Sequence, residues 1–295
     1  MRTAVILTSW ILTLVWTDLH AQADTSFQRE TDAWHAQRVS ALKAEDGWLN
    51  LAGLHWLNEG VQTFGSDSTQ AIVFPPGRIA GMAGRFVRRG DLVIMYASKG
   101  SGININGRPA QIDTIFSPNL TVAPVCTAGS LRWTIIKRGE RIGIRLRDLK
   151  HPALSTVKGI DRFPADTNWR VNARLITDPY TRNIPITNVL GQSIQTPLAG
   201  RLHFILNGRP MVLDALTEGD ELFIIFGDET SGLETYAAGR FLYASMPDTE
   251  GNTILDFNRA INPPCAFTTY ATCPLPPRQN VLSVAVRAGE KDHHY

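Results

Sequence analysis

Polar and ionisable side chains are concentrated in the last third of the sequence, at the ends of apolar runs such as Leu222 to Phe226. Strand ends bring such groups together at one rim of a β domain, where carboxylates beside Arg and Tyr can bind or protonate a polar ligand. The candidate ligand-binding residues are Arg170, Asp228, Tyr236, Arg240, Asp256 and Asn258.

Two other interpretations use the same residues. In one, Asp228, Asp256 and Arg240 form a charge-paired network that caps strand ends. Because buried charges persist only when paired, this network would also bring the three side chains together. In the other, Asp228 and Asp256 are the acid/base pair of an extracytoplasmic hydrolase. The sequence leaves these alternatives open.

Two of the three cysteines, Cys265 and Cys273, lie in one Pro-rich segment. In an oxidising compartment their spacing favours a disulfide that pins a rigid loop over one end of the sheet. The alternatives are two buried thiols, a metal site, or a nucleophilic Cys265 served by His203 or a carboxylate. The remaining Cys126 reads as a small buried hydrophobe.

The sequence lacks the motifs of several common enzyme classes. The sequence contains no Gly-x-Ser-x-Gly elbow, no His-Glu-x-x-His, no phosphate loop and no Gly-x-Gly-x-x-Gly after a strand. The histidines are scattered, so we predict no metal site and no cofactor. The formal net charge of +2 argues against a nucleic-acid partner. Arg141, Arg145 and Arg147 share one strand face, which is read as solvated, with anion binding as the alternative.

The pattern of short apolar alternations broken by glycine predicts a mainly β fold. Helical spacing of apolar residues is convincing only in residues 22–47. We therefore expect a short N-terminal helix, a small β sandwich over residues 48–148, and a larger antiparallel β barrel or sandwich over residues 149–295 that carries the Pro-rich loop.

The first 21 residues read as a secretory signal peptide. Arg2 supplies the positive start, residues 3–16 are largely apolar, and a small residue follows at Ala21, with a second cleavage position at Ala23. The apolar run is shorter than the roughly 20 residues of a membrane span. The expectation is a secreted or periplasmic soluble protein without a membrane span.

A set of short motifs resembles the bacterial family named domain of unknown function 1684, over nearly the whole chain. The motifs include Gly47-Trp48-Leu49, residues 142–148, Trp169-Arg170-Val171, residues 239–242, residues 255–258, Cys273-Pro-Leu-Pro-Pro and Ala288-Gly-Glu-Lys. The resemblance implies architecture and a bacterial envelope or secreted setting. It implies no activity and no catalytic residues.

A second resemblance concerns the N-terminal part. Residues 64–67, 71–73, 84–87 and 105–107 follow the strand and glycine pattern of forkhead-associated β sandwiches. Ser66 stands where that family has its phosphate-reading Arg, so the resemblance implies the fold alone.

Taken together, the sequence favours an exported protein that binds a small polar ligand or a partner segment at the rim of the C-terminal β domain. The alternatives are the hydrolase, acting through Asp228 and Asp256 or through Cys265, and a protein-interaction module built on the N-terminal sandwich.

Overall fold

The computed structural model describes residues 9–180 and 182–293, with side chains described from Thr25 onward. The first eight residues of the predicted signal peptide therefore lie outside the described residues. The chain forms two compact units. The sandwich unit comprises Ala41–Lys158 and Phe267–Thr272, and the barrel unit comprises the N-terminal segment through Ser40, Gly159–Ala266 and the chain from Cys273 onward.

The predicted mainly β class with an N-terminal helix is confirmed. Helix α1 is Ser9–Lys43, and a short helix α2, Ala153–Thr156, follows the last strand of the sandwich unit. No helix in the described part of the chain combines the length and apolarity needed to cross a membrane.

Two sheets make up the sandwich unit. One has the order β1-β11-β10-β9-β6-β7 and the other β3-β2-β4-β5-β8. The strands are β1 (Leu51–Trp56), β2 (Gly60–Gly65), β3 (Ile72–Val73), β4 (Gly84–Arg89), β5 (Leu92–Ala97), β6 (Asn104–Ile105), β7 (Arg108–Pro109), β8 (Ile112–Phe116), β9 (Cys126–Ala128), β10 (Leu131–Arg138) and β11 (Arg141–Asp148).

Alternation along β10 and β11 explains how the sandwich core forms. Ile142, Ile144 and Leu146 are fully buried, whereas the arginines between and beside them lie on the opposite face. On that face the guanidinium of Arg141 stacks over the Trp56 ring at 4.3 Å, and Arg147 donates to the side-chain oxygen of Asn50 at 2.7 Å. The arginine face is thus partly occupied by contacts within the unit.

The barrel unit is built on one antiparallel sheet of order β17-β16-β15-β14-β12-β18. Its two end strands lie beside each other, and the Thr253 hydroxyl donates to the Ser245 carbonyl at 2.8 Å, so the sheet is a nearly closed barrel. The strands are β12 (Arg170–Ile176), β13 (Asn183–Thr187, paired with β14), β14 (Ser193–Leu206), β15 (Arg209–Glu218), β16 (Glu221–Phe226), β17 (Arg240–Ser245) and β18 (Asn252–Asp256).

The C-terminal segment completes the barrel core. Leu282, Val284, Val286 and Ala288 are buried among the inward-facing residues of the sheet. The sequence pattern predicts a strand from Val281 to Val286, but the segment is extended and forms an isolated bridge, between Gly227 and Val281, in place of a ladder. Further backbone hydrogen bonds, such as that from Glu229 N–H to the Val284 carbonyl at 3.2 Å, and side chains of the barrel described below also hold the segment.

Helix α1 packs on the barrel through one face. Phe27 and Thr31, one turn apart, are buried. Ion pairs with the barrel flank this face, since Glu30 accepts from Arg259 at 2.5 Å and Arg38 donates to Glu290 at 3.3 Å. The helix is therefore tied to the barrel through Arg259 and Glu290.

Candidate functional site

A cavity of about 550 Å³ lies on the outside of the barrel, where β12 and β18 meet the end of β17. This volume falls within the usual range of small-molecule sites. Its lining is mixed in charge, with two arginines, three acids and several neutral polar side chains. The lining residues are Arg170, Asn172, Glu221, Tyr243, Ala244, Ser245, Met246, Pro247, Asp248, Asn252, Thr253, Ile254, Asp256 and Arg259.

Of the six sequence-predicted ligand residues, Arg170 and Asp256 line this cavity. They are directly opposite in the antiparallel pairing of β12 and β18. Side chains that are opposite across a ladder share one face of the sheet. Arg170 is exposed, and within the described residues it makes no ion pair, so its five N–H donors are available to a ligand.

Asp256 has one carboxylate oxygen committed to local structure. Its Oδ1 accepts from the Asn258 backbone at 3.1 Å and from the Asn258 side chain at 2.8 Å, whereas Oδ2 lies 3.6 Å from the Arg259 Nε. Asn258 also exchanges two hydrogen bonds of 2.9 Å with the Asp166 backbone. Asn258 therefore holds the β18 end in place and does not line the cavity.

Arg259 is the second cation of the cavity. Besides its ion pairs with Glu30 and Asp256, its guanidinium lies 5.7 Å from the centre of the Trp34 ring. Its Nε is buried without a hydrogen-bond partner among the described atoms. Arg259 thus links helix α1 to the cavity wall.

Tyr243 borders the cavity beside acidic neighbours. Its hydroxyl donates to Glu218 at 3.3 Å, and its ring stacks on Phe223 at 5.0 Å. Burial, together with the Glu218 carboxylate, raises the pKa of the Tyr243 hydroxyl. Tyr243 is therefore a neutral hydrogen-bonding group at neutral pH.

Asp228 and Arg240 lie elsewhere, in a buried network. Arg240 Nη2 donates to Asp228 at 2.9 Å and to the Val286 carbonyl at 2.9 Å, and both side chains are fully buried. The other Asp228 oxygen accepts from the Thr230 amide at 2.8 Å and its hydroxyl at 2.6 Å. Burial lowers the pKa of the Arg240 guanidinium, opposed by the charge of Asp228.

This network has a structural role in the barrel unit. It fastens the extended C-terminal segment, because Arg240 also donates to the Ala288 carbonyl and Val286 N–H donates to Asp228 at 3.2 Å. Asp228 is not among the residues that line the cavity with Asp256. Asp228 is thus fully buried in its pair with Arg240, whereas Asp256 lines the cavity.

The predicted disulfide between Cys265 and Cys273 is not present in the structure; both residues are thiols. Each sulfur instead accepts a hydrogen bond from the other residue's backbone N–H, at 3.0 and 3.3 Å. Tyr236 lies near this pair, and its pKa is raised by burial first and then by the two cysteines. His203 lies on β14, in a groove with Arg174 and Phe204 that adjoins the cavity at Asn172 and Asn252.

Sequence reasoning missed several cavity residues, notably Asn172, Glu221, Tyr243 and Arg259. Spacing by two residues was the available signal, since Arg170 and Asn172 share the outer face of β12, as Asn252, Ile254 and Asp256 share that of β18. Spacing along the chain does not show that β17 and β18 are neighbours, because they come together only when the barrel closes.

Comparison with solved structures gives partial matches. An uncharacterized protein of Haloarcula marismortui, solved by NMR in solution, is 30% identical, with 46% of this chain and 78% of that chain covered and a TM-score of 0.39. No curated protein matches the chain.

For the N-terminal part the neighbours are FHA domains. One was studied for phosphothreonine-dependent interactions, and another is the FhaA FHA domain complexed with the intracellular domain of Rv3910. Each is 15% identical and covers 32% of this chain, with 92% and 97% of the respective neighbour covered and TM-scores of 0.23. They concern the fold alone.

A family match covers the region that carries the cavity. The resemblance to domain of unknown function 1684 predicted from the sequence is confirmed for this region, not for nearly the whole chain. Residues 155–291 match the family described as protein of unknown function DUF1684.

Proposed function

We propose that the chain is an exported protein whose barrel unit binds a small polar ligand in the cavity beside Arg170. The observation that carries this proposal is an exposed arginine with no ion pair in the described structure, standing in a cavity of about 550 Å³. An arginine presents a fixed fork of donors that fits a carboxylate or phosphate group. The ligand is therefore one that carries an acidic group.

The remaining lining supports a ligand with further polar groups. Asn172, Ser245 and Asn252 offer amide and hydroxyl groups around the cavity, and Asp256 adds one carboxylate oxygen with no hydrogen bond within the described residues. Uncharged donors and acceptors fix the orientation of a bound molecule. A purely apolar ligand would leave these groups unpaired, which costs free energy.

The test compares Arg170→Ala with Arg209→Ala in the full chain, because Arg209 is another exposed barrel arginine that does not line the cavity. Inorganic phosphate, citrate and glutamate are the probes, and thermal unfolding is the readout. A ligand at one hundred times its Kd stabilises a protein by about 2.7 kcal/mol.

At least one probe should raise the melting temperature of the wild type and of Arg209→Ala but not of Arg170→Ala. Equal shifts in all three proteins, or none with any probe, would contradict binding at this cavity.

Export is proposed from the leader pattern of residues 1–21 alone. N-terminal sequencing of the protein secreted or released from the periplasm of a bacterial host should find a new terminus after Ala21 or Ala23. An intact Met1 on protein recovered from the cytoplasm would argue against it.

A further inference from the structure

The thiol pair Cys265 and Cys273 is organised in a way that the ligand-binding proposal does not use. The two residues flank the segment Phe267–Thr272, at the points where the chain leaves and re-enters the barrel unit. Cys265 N–H donates to the Cys273 sulfur at 3.0 Å, and Cys273 N–H donates to the Cys265 sulfur at 3.3 Å. Neither residue lines the cavity described above.

Reciprocal donation of this kind favours the thiolate form. Hydrogen bonds to the charged form of an acid stabilise that form. The pKa of the Cys265 thiol is lowered by its side-chain hydrogen bond with Cys273, against the opposing effect of burial, with a further contribution from the Cys273 backbone N–H. Cys126 shows the contrast, because burial raises its pKa to about 12. Thiolate, not thiol, is the nucleophile in disulfide chemistry.

The two thiols also differ in their access to solvent. Cys265 is partly exposed, whereas Cys273 is buried, with 5% of its surface accessible. A small molecule can therefore reach the Cys265 sulfur first. The backbone N–H of the buried partner already donates to that sulfur at 3.3 Å, so the two residues are close neighbours.

We propose that Cys265 and Cys273 form a thiol–disulfide exchange site for small-molecule disulfides, with Cys265 as the attacking thiol and Cys273 as the resolving thiol. The Cys265 thiolate forms a bond to one sulfur of the substrate disulfide and breaks its S–S bond, so that one substrate thiolate leaves and takes a proton from water. Cys273 then loses its proton to water and its sulfur attacks Cys265, which expels the second substrate thiolate.

The balance of the reaction is one dithiol and one small disulfide converted to one protein disulfide and two small thiols. The protein is oxidised and the substrate disulfide is reduced. A metal site is a poorer account of these sulfurs, because the described residues contain no group of three or more His, Cys, Asp or Glu placed to hold an ion.

Oxidised glutathione is the probe, and intact mass with thiol alkylation is the readout, applied to the full-length chain. The wild type should lose two alkylatable thiols without retaining glutathione. Cys273→Ser should accumulate one glutathione adduct, at Cys265, because no resolving thiol remains. Cys265→Ser should react at least about tenfold more slowly, since its remaining pair member is buried. Cys126→Ser is the matched control and should behave as the wild type does.

Equal rates of adduct formation in the two single variants, or a wild type that keeps all its thiols, would overturn the proposal. Circular dichroism checks that each variant is folded. If a variant is not, limited alkylation of the wild type followed by peptide mapping decides the order. Cys265 should be labelled first, and labelling of Cys273 or Cys126 before it contradicts the assignment.

Discussion

Arg170 and Asp256 stand directly opposite each other on the neighbouring strands β12 and β18, and both line the same cavity. The Asp256 carboxylate is already held by Asn258 and faces Arg259 at 3.6 Å. The two cations of the cavity therefore differ in function. Arg259 is committed to its acidic neighbours and to helix α1, which leaves Arg170 as the cation for a ligand.

The buried ion pair of Asp228 and Arg240 should dominate the stability of the barrel unit. Asp228→Asn keeps the shape but leaves the Arg240 charge buried and uncompensated, so we expect a loss of about 3 to 5 kcal/mol in the free energy of unfolding, measured with urea. Glu234→Gln is the matched control, because its pair with Arg287 at 2.9 Å is exposed. That change should cost less than about 1 kcal/mol. Equal losses would refute a structural role of the buried pair.

Gly239 should tolerate no side chain. Its φ is +83°, and a Cβ there would lie 2.5 Å from the Phe226 carbonyl oxygen and 2.6 Å from Pro276. Gly239→Ala should therefore cost roughly 3 kcal/mol, from backbone strain together with the clash. Gly208 has a φ of +72° and open space around it, so Gly208→Ala should cost only about 1 kcal/mol. Thermal unfolding of both variants measures the difference, and similar melting temperatures would contradict the steric argument.

The sequence predicts the parts of this arrangement that depend on neighbouring residues along the chain, and not the parts that depend on distant segments coming together. The alternation of apolar and polar residues predicted the buried face of β11. The expectation that polar residues at strand ends meet at one rim predicted that Arg170 and Asp256 lie together. Tyr236 and Arg240, only four residues apart, have different environments, because one is near the thiol pair and the other is fully buried. That separation depends on where the C-terminal segment enters the barrel, and no local pattern encodes it.

The environment of the two thiols was also not predictable from the sequence. Spacing alone favoured a disulfide between Cys265 and Cys273, but spacing does not encode the backbone N–H directions that hydrogen-bond both sulfurs. The helix, by contrast, was visible from its apolar period, since Phe27 lies on the buried face.

His55 should make the stability of the sandwich unit depend on pH. Burial lowers its pKa below the ordinary value of 6.5, so the folded state binds a proton less readily than the unfolded state. This stability is present above about pH 6.5 and is lost as the pH falls through the folded pKa. The free energy of unfolding in urea should fall between pH 8 and pH 5.5, and His55→Gln should reduce that fall. His203→Gln, at an exposed position, should leave it unchanged. An identical pH dependence in all three proteins would exclude His55 as its source.

Arg259 should govern how firmly helix α1 is held against the barrel. It pairs with Glu30 at 2.5 Å and lies over the Trp34 ring, two contacts that are partly exposed and together worth about 1 kcal/mol. Arg259→Ala should therefore increase hydrogen exchange of backbone amides in residues 25–40 severalfold while strands β14 and β15 keep their protection. Arg174→Ala, an exposed arginine of β12 outside this contact, serves as the control. Unchanged exchange in the helix of Arg259→Ala would show that Phe27 and Thr31 hold it without help from the ion pair.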